Sequence, residues 1–141
     1  MKLEECMAKG LIRKDDSAKS RIPASLESSK RFLNAARKNL DIGELEMTEI
    51  AAYNSAFHSA RSILFSMGYT ERSHACLITA LKEISSDKEL ISYLKTFDKL
   101  RLSRHNIQYG GSLTGEDEAS FSIEFAQDFL GFVENKHKRD I

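Results

Sequence analysis

Apolar positions along this chain recur at helical spacing from end to end. Tyr53, Ala56, Phe57, Ala60, Ile63, Leu64 and Met67 fall at offsets of three, four, seven, ten, eleven and fourteen. That places them on one side of a helix with 3.6 residues per turn and predicts a central core helix from 44 or 48 to 67. On the same helix Ala51, Ala52, Ser55, Ala56, Ser59 and Ala60 are small enough for a neighbour to approach closely. Asn54, His58 and Arg61 form a separate polar stripe at offsets of four and three. Ile22 and Pro23 open an earlier long helix, with Leu26, Leu33, Ala36 and Leu40 on its buried side and Gly43 as its stop. A shorter helix over 74–84 carries Ala75, Leu77, Ile78 and Leu81, with His74 at its start. Ser86 followed by Glu89 fits a capping box for the next long helix, whose core stripe is Leu90, Leu94 and Phe97 and which stops at Gly110 and Gly111. The last helix, 116–136, sets Phe121, Phe125, Phe129 and Phe132 at offsets of four, eight and eleven, an aromatic stripe expected in the core. Residues 1–20 read as a two-turn helix and a polar, exposed connection appended to the rest, and 136–141 as a frayed basic tail.

Short connections between helices favour antiparallel neighbours. The expectation is an all-α chain, an up-and-down four-helix bundle with one or two short additional helices, organised as an N-terminal helix and connection (1–22) and a single bundle domain (23–141). Composition fits: 41% hydrophobic and 30% charged residues, with one Pro and no Trp. The formal net charge of zero gives no overall pull toward polyanions, so any phosphate site must be a local patch. Cys6 and Cys76 are far apart and lack ligand spacing, which reads as reduced thiols in a cytoplasmic protein. No stretch has the apolar length of a signal peptide or a membrane span, so no membrane association is expected.

The chemistry concentrates in 98–111, D-K-L-R-L-S-R-H-N-I-Q-Y-G-G. Continuing the period of Leu90, Leu94 and Phe97 lands on Arg101, Arg104 and Gln108, so a core stripe is handed to two guanidiniums and an amide, with His105 to one side. Burying an unpaired charge costs several kcal/mol. Either this end of the helix opens into a solvated cleft, or the arginines fold around the bundle end onto nearby carboxylates. Arg101, Arg104, Asn106 and Tyr109, with His105, are donors suited to nucleotide or RNA phosphate oxygens. Gly-rich phosphate loops, metalloprotease helices, nucleophile elbows and calcium loops are all missing. The four histidines, His58, His74, His105 and His137, lie in separate segments, so neither a metal nor a cofactor is expected.

Two motifs in order, A-A-Y-N-S-A-F-H-S-A-R-S-I-L-F-S-M-G-Y over 51–69 with Ser73-His74 after it, and L-R-L-S-R-H-N-I-Q-Y-G over 100–110, resemble the HEPN superfamily (higher eukaryotes and prokaryotes nucleotide-binding domain) in its small stand-alone prokaryotic branch. The resemblance runs from about residue 10 to the end. It implies a helical bundle that dimerises, with a polar cleft at or near the dimer interface. It also implies a partner, since many relatives sit beside a minimal nucleotidyltransferase as toxin and antitoxin. Active relatives are metal-independent RNases carrying Arg, four to six residues, then His. Here the fifth residue after Arg104 is Tyr109 and His105 adjoins the arginine. A phenol, ordinarily titrating near pH ~10, is a poor general base, so any cleavage would fall to Arg104 and His105, with Tyr109 as a phosphate ligand or an acceptor of a transferred nucleotide. Three functions follow: nucleotide or RNA-phosphate binding, a non-catalytic interaction module, and a weak metal-independent RNase.

Overall fold

The helical periodicity is realised as four long helices and two short ones, described over residues 1–140 in a computed structural model. In chain order they are α1 (Leu3–Ala8), strand β1 (Ile12–Lys14), a 3₁₀ turn (Ala18–Arg21), α2 (Ile22–Asp41), α3 (Leu45–Ser66), strand β2 (Tyr69–Glu71), α4 (His74–Ile84), α5 (Lys88–Gly110) and α6 (Glu116–Asp140). The fold is all-α apart from the β1–β2 ribbon.

Helix α3 is the centre, packed against α2, α4, α5 and α6. Its small residues do what their size allows. Ser29 of α2 is fully buried on them, its hydroxyl 2.9 Å from the Ser55 carbonyl and 2.8 Å from the Ser59 hydroxyl, and Ser25 donates to the His58 carbonyl at 2.7 Å. A bulkier side chain at 55 or 59 would drive α2 off this face. Ile123, Ala126 and Leu130 of α6 join Leu33, Ala36, Ala51 and Ala52 in one buried cluster, while Leu90, Leu94, Phe97 and Leu100 of α5 join Tyr53, Phe57, Ala60, Phe125 and Phe129 in a second.

Several expectations are corrected by long-range packing. The N-terminal segment is no appendage. Cys6 and Ile12 are 0% and 1% exposed, because β1 pairs antiparallel with β2 (Ile12 opposite Glu71, Lys14 opposite Tyr69) and draws the segment into the core. The segment that follows α3 accordingly pairs as β2, Tyr69–Glu71, before α4 begins. Cys6 and Cys76 are not separate thiols: the strand pairing sets α1 against α4 and joins them in a disulfide, with Cα atoms 5.8 Å apart. Asp87 caps α5 in place of Ser86, since its carboxylate reaches the amides of Glu89 and Leu90 at 2.9 and 3.2 Å. Phe121 is 51% exposed, because Tyr93 of α5 packs on Phe125, Phe129 and Phe132 and, among the described residues, no ring packs on Phe121. The tail continues α6 to Asp140, anchored by His137, whose Nε2 lies 2.9 Å from the Ser62 hydroxyl, and by Lys136, which donates to Asp87 at 3.1 Å; Ile141 lies outside the described residues.

Candidate phosphate-binding cleft

Past Leu100 the core stripe of α5 runs out of apolar partners and continues as Arg101 and Arg104, both half-buried. Arg104 lies over the ring of the fully buried Tyr53 of α3, its guanidinium carbon 4.8 Å from the ring centroid. Nη1 donates to Gln108 Oε1 at 2.9 Å, one turn along α5, while the buried Nε has no partner. Arg101 differs, since its Nε donates to Asp98 at 2.9 Å.

The start of α4 meets Tyr53 from the other side. Ser73 caps the helix, accepting from the Cys76 amide at 3.1 Å, and this fixes His74 at the first helical position. From there His74 Nδ1 is 2.6 Å from the Tyr53 hydroxyl, and the imidazole stacks on Phe57 with centroids 4.1 Å apart. His58 stands next to it on α3, stacked on Phe32 of α2 at 5.5 Å and edge-on to Phe57 at 5.2 Å, with a buried, unpartnered Nδ1. Arg61 completes the row, spanning the Phe57 and Phe65 rings and donating to Glu71 of β2 at 2.7 Å.

The electrostatics follow from this arrangement. Burial, reinforced by Arg104, Arg101, Arg61 and His58, drives the His74 pKa from 6.5 down to about 4, so the ring is neutral at pH 7. Burial and then Arg61 lower His58 as well. Burial raises the Tyr53 hydroxyl, against the opposing pull of Arg104, and burial likewise raises Glu71, against Arg61. Asp98 answers Arg101 and Glu71 answers Arg61, while among the described residues no carboxylate answers Arg104. The junction of α3, α4 and α5 therefore carries a local positive charge at Arg104 in a chain of zero formal net charge, with aromatic rings and neutral imidazoles beside it.

The HEPN domain family matches residues 22–136 of this sequence. The chain belongs to the HEPN domain family. TT1696 from Thermus thermophilus shares the fold, with a TM-score of 0.65 and 22% identity over 82% of this chain and 98% of that one. No curated protein matches the chain significantly.

Within this HEPN domain the residues singled out from sequence divide into groups. Arg101 and Arg104 are both half-buried at the junction of α5 with α3, Arg104 against Tyr53 and Arg101 against Asp98. His105 and Tyr109 are exposed on α5 and tilt against each other with centroids 4.9 Å apart, one helical face away from Arg104. Asn106 is exposed and, at 3.6 residues per turn, points away from Arg104; its carbonyl accepts the Gly111 and Ser112 amides and closes the helix. His58 and Arg61 line the neighbouring part of α3, with Asn54 on the same stripe, half-buried. Sequence reading placed Tyr53 in the core and His74 at a helix start, both accurate positions, and missed that they touch.

Glu49 also escaped notice. It is 4% exposed and accepts from Ser103 and Thr114 hydroxyls, each at 2.8 Å, tying the end of α5 and its following loop to α3. Its signal was available, since Glu49 stands four residues before Tyr53 on the core stripe. Among the described residues no group of three or more His, Cys, Asp or Glu is placed to hold a metal, and no helix is long and apolar enough to cross a membrane.

Proposed function

We propose that this HEPN domain binds the phosphate of a nucleotide or of RNA in the cleft between α3, α4 and α5, with Arg104 as the principal ligand and Arg101 beside it. The observation that carries this reading is Arg104: a guanidinium held over Tyr53, with a buried, unpartnered Nε and no carboxylate partner among the described residues. A buried guanidinium N–H without a partner is costly, and a phosphate supplies oxygens in the geometry that its fork matches. Neutral imidazole at His74 adds a donor without adding charge. Tyr109 and His105, exposed one face away, are placed to touch a longer RNA beyond the cleft rather than the same phosphate.

The resemblance to small prokaryotic HEPN proteins extends the proposal to a homodimer partnered by a minimal nucleotidyltransferase in a toxin and antitoxin pair. A light-scattering mass that stays monomeric at high micromolar concentration would remove the dimer from it. For the phosphate site, fluorescence anisotropy with a labelled single-stranded RNA and with ATP is the test. Arg104→Ala should weaken binding by at least about 1 kcal/mol, roughly fivefold, and Arg104→Lys should not restore it, because an ammonium lacks the planar fork. Unchanged affinity beside an unchanged melting curve would overturn the assignment.

A second reading, weak metal-independent RNA cleavage, is favoured by one observation. His74 is hydrogen-bonded to Tyr53 next to Arg104, which puts an imidazole beside a cation able to stabilise a phosphorane. A ring titrating at about 4 is a poor proton acceptor at pH 7, in keeping with cleavage that is weak. Cleavage of labelled RNA in EDTA by the wild type, His74→Ala and His105→Ala separates the two histidines. Activity lost with His105 and kept with His74 would return the chemistry to the exposed face of α5.

A further inference from the structure

Helices α5 and α6 meet along a seam bridged by aromatic rings: Tyr93 of α5 lies 6.0, 5.2 and 5.0 Å from Phe125, Phe129 and Phe132 of α6, centroid to centroid. Outside this bridge opens a groove of about 420 Å³, lined by Glu89 and Tyr93 from α5 and by Phe121, Glu124, Phe125 and Asp128 from α6. The sequence builds it simply. Phe121, Glu124, Phe125 and Asp128 stand at offsets of three, four and seven, and Glu89 and Tyr93 at four, so each helix presents one stripe mixing rings with carboxylates. Phe121 is 51% exposed, the largest departure from the aromatic core stripe of α6.

The charges here are one-sided. Among the described residues none of Glu89, Glu124 and Asp128 has an ion-pair partner. All three are exposed around the half-buried Tyr93, and after burial it is Glu89 and Asp128 that raise the Tyr93 hydroxyl. Open ring faces beneath uncompensated carboxylates suit a delocalised cation, which stacks its plane on a ring while its N–H groups reach the acids. Nucleic acid is repelled by the same carboxylates. Past Tyr93 the groove continues into a second hollow of about 540 Å³ that shares Glu89 and Tyr93 and reaches Phe132, Lys138 and Arg139. The surface is thus long enough for a stretch of chain, while the two cations at its far end confine the arginine to the acidic part between Glu89, Glu124 and Asp128.

The geometry points to the α5–α6 groove as a docking site for an arginine-bearing segment of a partner protein, with one guanidinium seated among Tyr93, Phe121 and Phe125 beneath Glu89, Glu124 and Asp128. This goes beyond the phosphate site and shares no residue with it, so either stands or falls without the other.

The probe is a fluorescein-labelled peptide with three arginines spaced every fourth residue, set beside the same peptide with citrulline, which keeps the shape and loses the charge. Anisotropy should show binding of the arginine peptide and at least tenfold weaker binding of the citrulline one. The double variant Glu124→Gln with Asp128→Asn should lose at least tenfold, and Phe121→Ala should also weaken binding. Glu4→Gln with Glu5→Gln removes the same charge from α1 and should leave affinity unchanged. Equal binding of the two peptides, equal loss in the α1 control, or no binding at millimolar peptide would overturn the proposal. So would a concentration-dependent dimer dissolved by Phe121→Asp, since a second copy would then occupy the groove.

Discussion

Arg104 rests on Tyr53 while Tyr53 holds His74: the guanidinium is 4.8 Å from the ring centroid and the hydroxyl 2.6 Å from Nδ1. One buried side chain thus couples α5 to α4 through α3. Its two roles separate by substitution. Tyr53→Phe keeps the platform under Arg104 and strips the partner from Nδ1, and should cost about 1–2 kcal/mol in urea unfolding with little loss of RNA affinity. Tyr53→Leu removes the platform too and should weaken RNA binding several-fold. Equal affinities for the two variants would show that the stack does not position Arg104.

His74 ties stability to pH. Its folded pKa is about 4 against an ordinary 6.5. Between these values the unfolded chain takes up a proton that the folded ring refuses, so stability is unpenalised above pH 6.5 and falls as pH drops toward 4. His58, also lowered by burial, acts in the same direction. From pH 7.5 to 5.0 the unfolding free energy should fall by about 1–2 kcal/mol, and by less in His74→Gln. A drop of the same size in His74→Gln would place its origin elsewhere.

The Arg61–Glu71 pair bridges α3 and β2 at 2.7 Å, with the glutamate side chain 6% exposed. Removing the arginine strands a buried carboxylate, whereas removing both charges does not. Arg61→Ala should destabilise by about 2–3 kcal/mol, and adding Glu71→Gln should recover a part of it. Additive losses in the double variant would mean that the two residues are not coupled.

Cys6 and Cys76 are linked across 70 residues. A cross-link closing a loop of that length restricts the unfolded chain and contributes about 3–4 kcal/mol. Reduction, or Cys6→Ser with Cys76→Ser, should lower the unfolding free energy by that order. Thiol titration of the denatured, unreduced protein should find none free; two titratable thiols would contradict the link.

Local physics wrote much of this fold into the sequence. Pro23 just inside the start of α2, the stop at Gly43, the whole of α4 and the left-handed Gly111 after α5 depend on backbone preferences of a few neighbouring residues. The stripe of α3 marked its burial, and the run from Phe97 to Arg104 marked where the core face of α5 gives way to charge, because a charge on a core face is visible from period alone.

Only the tertiary structure decided who meets whom. Period gives the face of a helix and not the neighbour it faces. Tyr53 and His74 lie 21 positions apart, and nothing in either segment specifies their hydrogen bond. Cys6 met Cys76 because a three-residue strand pairing, too short to stand out in sequence, set α1 beside α4. Phe121 follows the same rule from the other side: its spacing matches the core stripe, yet it stays exposed because Tyr93 covers Phe125, Phe129 and Phe132 and does not reach it. Arg104 could be named from sequence. That Asp98 and Glu71 neutralise Arg101 and Arg61 and leave Arg104 unanswered is a property of the assembled bundle.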